Sequence, residues 1–242
     1  MAFIPADEIP TLSQLYERGK MGHSPLGRMN ELSTSAYNGK IATIRADITT
    51  LAVDAIVNAA NRALRGGGGV DGAIHRAAGE ELLDECRTLD GCDTGSSKMT
   101  GAYRLPCKKI IHTVGPIYRA QYAGRCETAL RSCYQSALQL AVEHGLKTIA
   151  FCAIATGIYS YPSYDAATVA CNTVRDFLGT EDGKKLDKVV FVTYEAEDVR
   201  NYNNLLSRIF PPEDESESES DEGAEEQMAE AEAETAVNQP TT

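Results

Sequence analysis

Asp54-Ala-Ile-Val-Asn-Ala-Ala-Asn61 runs through the spacer Arg62 to Arg65 into Gly66-Gly-Gly-Gly-Val-Asp-Gly72. Asp54 to Asn58 has the length and apolar character of a buried strand. It ends in polar residues, Asn58 and Asn61, then four glycines, then an apolar-striped segment that predicts a helix starting near Asp71-Gly72. In open α/β sheets, ligands bind beyond the carboxyl ends of the strands. Consecutive glycines let the backbone come close to such a ligand and present N–H groups to it. The positive end of the following helix favours a diphosphate. A flexible linker is the plain alternative, but linkers are seldom flanked so tightly by a buried strand and a helix.

The same grammar recurs downstream. Thr148 to Ile154 is a fully apolar strand, and Ala155-Thr-Gly-Ile-Tyr159 follows it ahead of a helix predicted over Tyr164–Leu178. Two strand-end loops of this kind suit the two phosphates of one diphosphate. Neither has the Gly-Lys-Ser/Thr ending of a P-loop, which argues against ATP hydrolysis. Further strands are expected at Ile41–Ala46, Lys109–Val114 and Val189–Thr193. Helices are expected at Gly72–Leu89, Cys126–His144 and Asp198–Ile209, with a short one within Ile9–Tyr16. Apolar strands alternating with helices predict an α/β fold, a central sheet covered on both sides.

Three segments follow from composition: an N-terminal extension over residues 1–36, a domain over 37–210 and an acidic tail over 211–242. The chain carries a net charge of −12. Twelve of its 35 acids lie at or beyond Glu213, where Lys and Arg are absent, so the rest holds 23 acids against 23 Lys and Arg. That tail is too polar to offset its ordering entropy, and disorder is expected for it. Ser216 and Ser218, each with an acid three residues on, suit an acidophilic kinase. A neutral body argues against nonspecific nucleic-acid binding. No apolar run is long enough to span a membrane and no secretory signal opens the chain, so the cytoplasm is expected, with the nucleus accessible. The seven cysteines form no Cys-x-x-Cys pair and have no His at zinc spacing; buried, reduced thiols are expected, with no metal and no cofactor.

Taken together, Asp54–Asn61, Gly66–Gly79, Thr100–Pro106, Ile111–Pro116 and Ala155–Tyr159 resemble the MacroD-type macrodomains. The resemblance spans most of residues 40–210. It implies a three-layer α/β/α domain around a mixed, largely parallel sheet, and a site for ADP-ribose. It also implies roles. Asp47, next to Ile48, would accept from the adenine amino group; a capping Asp is the other reading. Asn58 and Asn61 would lie near the distal ribose, although a structural strand-end amide also accounts for Asn58. Gly67, Gly68, Gly69 and Val70 would line the diphosphate and ribose. Ala155, Thr156, Gly157 and Ile158 would form the second phosphate loop, with Tyr159 over the distal ribose.

Two positions depart from the family. Ala155 stands where Ser is usual. Thr193 stands where an aromatic often stacks on adenine, leaving the neighbouring Tyr194 as a candidate.

The implied reaction is hydrolysis of the ester joining ADP-ribose to Asp or Glu of modified proteins. O-acetyl-ADP-ribose would be a second substrate with the same kind of ester. Asp71, with Asn61 beside it, is the candidate catalytic group, orienting or deprotonating a water; the substrate diphosphate is the alternative base. As a residue type Asp71 also suits a helix N-cap. A rival from another class is a reader module that binds ADP-ribosylated proteins without cleaving them. His75 and His112 are read as structural.

Overall fold

The computed structural model describes residues 3–213; the expected phosphorylation sites and nearly all of the acidic tail lie outside the described residues. In chain order the elements are β1 (Ile4–Pro5), α1 (Leu12–Glu17), β2 (Ile41–Arg45), β3 (Leu51–Ala52), β4 (Ala55–Ala59), α2 (Gly69–Ala78), α3 (Glu80–Thr88) and β5 (Ser97–Gly101). They continue with β6 (Lys109–Thr113), α4 (Ala123–Glu143), β7 (Thr148–Phe151), α5 (Ser163–Leu178), β8 (Lys188–Thr193) and α6 (Ala196–Ile209).

Six strands form the main sheet in the order β2-β8-β7-β4-β6-β5. Every pairing is parallel except β5 with β6, which makes the sheet mixed and largely parallel. Successive residues of β4, β7 and β8 are buried, as both faces of a helix-covered sheet require. α4, α5 and α6 pack on one another and against β5, β6 and β8, while α2 and α3 pack together against β4 and β5. Ile56, Ile110, Ile149, Phe151 and Phe191 form the centre of one apolar core. All seven cysteines are buried free thiols.

The N-terminal stretch packs on this core. Thr11 and Gln14 make a reciprocal capping box at the start of α1. Ile9 and Leu12 are fully buried, and the Tyr16 hydroxyl donates to the Phe210 carbonyl at 2.7 Å. β1 pairs with β3 in a separate two-stranded sheet.

Two sequence-based boundaries move most, and the main sheet gains a strand. The helix expected over Gly72–Leu89 is two helices, because Gly79 has a φ of +94° and turns the chain between α2 and α3. A Cβ there would lie 2.7 Å from Glu81 Oε2 and 2.8 Å from Arg104 Nε. The strand expected to reach Ile154 ends at Phe151, before the second loop. β5 is an additional strand: Ser97-Lys-Met-Thr-Gly101 is a mostly half-buried edge without the apolar run that marks the others.

Candidate active site

β2, β8, β7, β4 and β6 run in one direction, so their carboxyl ends share one edge of the sheet. Asp47 lies just past β2, Asn61 past β4, Ala155 to Tyr159 past β7, and Tyr194 directly past β8. These segments and the first turn of α2 enclose a cavity of about 610 Å³, within the usual range of about 300–1,000 Å³ for small-molecule sites. Asp47, Ile48, Asn61, Gly67, Gly68, Gly69, Val70, Asp71, Ala155, Thr156, Gly157, Ile158, Tyr159 and Tyr194 all line it. Asn58 is not among the lining residues; it is fully buried, and its amide reaches Asp71 Oδ1.

Close packing accounts for part of this glycine-rich loop, and left-handed φ values of +74° at Gly66 and +59° at Gly69 for the rest. A Cβ on Gly72 would sit 2.3 Å from the Gly67 carbonyl oxygen, and one on Gly68 would sit 3.1 Å from Ile158 Cδ1. The second contact brings the two loops together across the cavity. Ala155 takes a left-handed φ of +68°, a strained conformation for a residue with a Cβ. α2 begins at Gly69 with Gly68 as its N-cap, so Asp71 is the third helical residue rather than the cap. The first N–H groups of a helix have no intrahelical acceptor and remain available to an anion.

Asp71 is 4% exposed. Asn58 Nδ2 donates to its Oδ1 at 2.8 Å, and Asn61 Nδ2 lies 3.4 Å from its Oδ2, which sits beside Gly67. Asn61 also donates to the Gly66 carbonyl at 2.6 Å and so ties the loop to β4. His75, one turn along α2, places Nε2 3.5 Å from Asp71 Oδ1. Burial pushes the Asp71 carboxyl up; the Asn58 hydrogen bond and the nearby His75 pull it back without cancelling the rise. Such a carboxylate is a stronger base than an exposed one.

His112 is a satisfied core residue, with Nδ1 3.0 Å from Asn58 Nδ2 and Nε2 2.9 Å from Thr100 Oγ1. Burial holds it at about 3, so it is neutral. Sequence spacing hid one cluster: His75, Cys86 and His112 bring a ligand-type atom each within 4.8 Å of one another. Both His112 nitrogens are taken by hydrogen bonds, so the trio is organised as a polar core rather than as a ligand set.

Asp47 caps the short turn after β2, accepting from the Thr49 N–H at 3.0 Å and the Thr49 hydroxyl at 2.7 Å, both at Oδ1. It therefore both caps and faces the cavity. β8 ends at Thr193, whose hydroxyl donates to the Ile44 carbonyl. Tyr194 is free of strand alternation and stands at the cavity's edge, 70% exposed. Tyr161, just past the second loop, is buried against Tyr118 with ring centroids 4.8 Å apart. Sequence reasoning missed Arg76 and Asp198, which also line the cavity. Arg76 follows His75 inside a helix and carries no local signal. Asp198 accepts from Ser163 Oγ at 2.7 Å, a contact across 35 residues.

The Macro domain family model matches residues 57–170, which include the first glycine loop and the second. Over 170 residues the chain is 53% identical to a macro domain-containing protein of Chlorobaculum tepidum, covering 70% of this chain and 97% of that one. The chain belongs to the macro domain family. Within that family it is of the MacroD type. This macrodomain is 44% identical over 209 residues to ADP-ribose glycohydrolase MACROD2 of Xenopus laevis, covering 86% of this chain. It spans half the length of that relative. The fold matches a Trypanosoma brucei macrodomain crystallised with ADP-ribose, with a TM-score of 0.70 and 36% identity over 85% of this chain and 78% of that one.

Proposed function

We propose that the cavity binds ADP-ribose and that Asp71 promotes hydrolysis of esters on its distal ribose, chiefly those to Asp and Glu side chains of modified proteins. The observation that carries this reading is Asp71 itself. A buried carboxylate stands at the first turn of α2, with one oxygen held by Asn58 and the other beside the glycine loop and Asn61. Pure binding of a diphosphate has no use for a negative charge there. The name of the Xenopus relative and the ligand in the trypanosome structure support the same reading.

In this reading Asp47 receives the adenine amino group at the end of β2, and Tyr194 lies over the base. The N–H groups of Gly67, Gly68 and Gly69 on one side, and of Thr156 to Tyr159 on the other, hold the diphosphate. Asp71 Oδ2 accepts a proton from water as the water oxygen bonds to the ester carbonyl carbon. The acyl C–O bond then breaks, and the proton passes to the departing ribose oxygen. The products are ADP-ribose and the restored carboxylic acid, which ionises. The acetyl ester of ADP-ribose fits the same steps. Residues 37–210 carry the site.

The experiment is release of ADP-ribose from a Glu-linked protein by the purified chain. Turnover that saturates with substrate is expected. Tight binding of the modified protein without any release would instead make the domain a reader.

A further inference from the structure

A line of hydrogen bonds runs from the edge of the sheet to Asp71, and its direction is set at the far end. The Gly101 carbonyl can only accept, so Thr100 Oγ1 donates its single proton there, at 3.0 Å. That hydroxyl must then accept from its other partner, His112 Nε2, at 2.9 Å. With the His112 proton on Nε2, facing Thr100 Oγ1 and, at 3.8 Å, Cys86 Sγ, Nδ1 is left bare. Asn58 Nδ2 lies 3.0 Å from that bare nitrogen and 2.8 Å from Asp71 Oδ1. Only an NH2 group, with two protons, satisfies both acceptors. Turned over, Asn58 would set its carbonyl oxygen against the carboxylate.

We propose that Thr100 and His112, both outside the cavity, are positioning residues for Asp71: they hold Asn58 with its NH2 toward the carboxylate. The chain of contacts is sealed from water, since Thr100 is 1% exposed and Asn58 and His112 are fully buried. Asn58 Oδ1 has no hydrogen-bond partner among the described residues. An unpaired buried carbonyl has a cost, which this orientation accepts in order to keep both N–H groups on their acceptors. The role assigned to Asp71 rests on the proposed hydrolysis; the orientation of Asn58 does not.

The consequence is a shift in where Asp71 ionises. The other ionisable groups that act on Asp71 are His75 on α2, Cys86 on α3 and Cys152 beyond β7. Burial, the largest effect on each thiol, pushes Cys86 to about 11 and Cys152 to about 12, so neither titrates near neutrality. None of these groups is altered in the variants below.

Thr100→Val removes the acceptor for His112 Nε2 at nearly constant volume and releases the tautomer. His112→Phe removes the acceptor for Asn58. Thr100→Ser keeps the hydroxyl. The carboxyl carbon of Asp71 is followed by NMR across pH, assigned with Asp71→Asn, beside the pH profile of ADP-ribose release. In Thr100→Val and His112→Phe the Asp71 midpoint and the acid limb of the rate should rise together by about one pH unit, the size of one lost hydrogen bond to a charged group. Thr100→Ser should return both to the parent values. Superimposable Asp71 titrations in folded parent, Thr100→Val and His112→Phe would overturn the proposal. If Thr100→Val does not fold, His112→Phe alone decides it. A parent protein that shows the Asp71 shifts but releases no ADP-ribose would sink the hydrolase reading and leave the positioning intact.

Discussion

Asp54 and Asp71 bracket the same strand and are used in opposite ways. Asp54 immediately precedes β4, at the amino ends of the parallel strands. Its Oδ2 accepts from the N–H groups of Lys147 at 2.7 Å and Thr148 at 3.0 Å, and its Oδ1 pairs with Lys108. Burial pushes that carboxyl up, but the hydrogen bonds from Lys108, Lys147 and Thr148 outweigh it and hold it below the usual carboxylate range. Asp71 stands at the other end, where burial wins. At the amino edge a carboxylate staples the start of β7 to the start of β4. At the carboxyl edge a carboxylate is left under-supported beside a cavity. The difference teaches that a strained charge, rather than charge as such, marks the working end of this sheet.

The sharpest way to break the contrast is Asp71→Ala. Loss of a general base costs about 10²–10⁴-fold in rate, and single-turnover release should fall by that much while calorimetry finds ADP-ribose affinity little changed. Near-parental turnover by the folded variant would pass the proton-transfer role to the substrate diphosphate and end the distinction. Next in size is ligand linkage. At about 100 times Kd, ADP-ribose should stabilise the parent by about 2.7 kcal/mol, and Asp54→Asn should show the same increment in a melting experiment, because Asp54 is remote from the cavity. A reduced increment would mean the two edges are coupled.

Asp54→Asn should itself cost about 1.5–3 kcal/mol, the range for hydrogen bonds to a charged group, with hydrolysis unaffected. Its folded pKa is lowered, so the stability it supplies is present above the unfolded value, near about 4, and is lost as pH falls through the lower folded value. Parent and variant melting curves should therefore converge in acid. Asp71→Asn should show the smallest change, and of opposite sign. A raised folded pKa means the parent's relative stability is greatest below the unfolded value and is lost as pH rises through the folded one. The Asn variant should melt slightly above the parent at pH 7, by an amount that shrinks toward pH 4. A variant less stable at pH 7 would show that Asp71 is as well supported as Asp54.

Much of this was legible in the sequence because the segments that build the cavity are contiguous. Asp54–Asn61 with Gly66–Gly72, and Ala155–Tyr159, each carry a strand end and its loop on adjacent residues. Contacts made across the fold left no such trace. Nothing near Asn58 announces that it turns away from the cavity, because its partners, Asp71 and His112, lie 13 and 54 residues on. β5 was missed because an edge strand with one half-buried face lacks an apolar run. At Gly79 the neighbours on both sides have helical periodicity, and only the turn between α2 and α3 demands its positive φ.

The placement of β2 has a consequence for the making of the protein. This strand is on the edge of the main sheet, pairing along its length with β8 and bridging to Thr11 through Ala42, while Tyr16 and Asn38 bond to the carbonyls of Phe210 and Pro211. On a ribosome, Ile41–Arg45 is made first and its partner roughly 150 residues later, a delay of about 7–30 s at about 5–20 residues per second. Through that interval an apolar strand edge stands open, and the early chain depends on whatever shields nascent polypeptides until the last strand and helix arrive to close it.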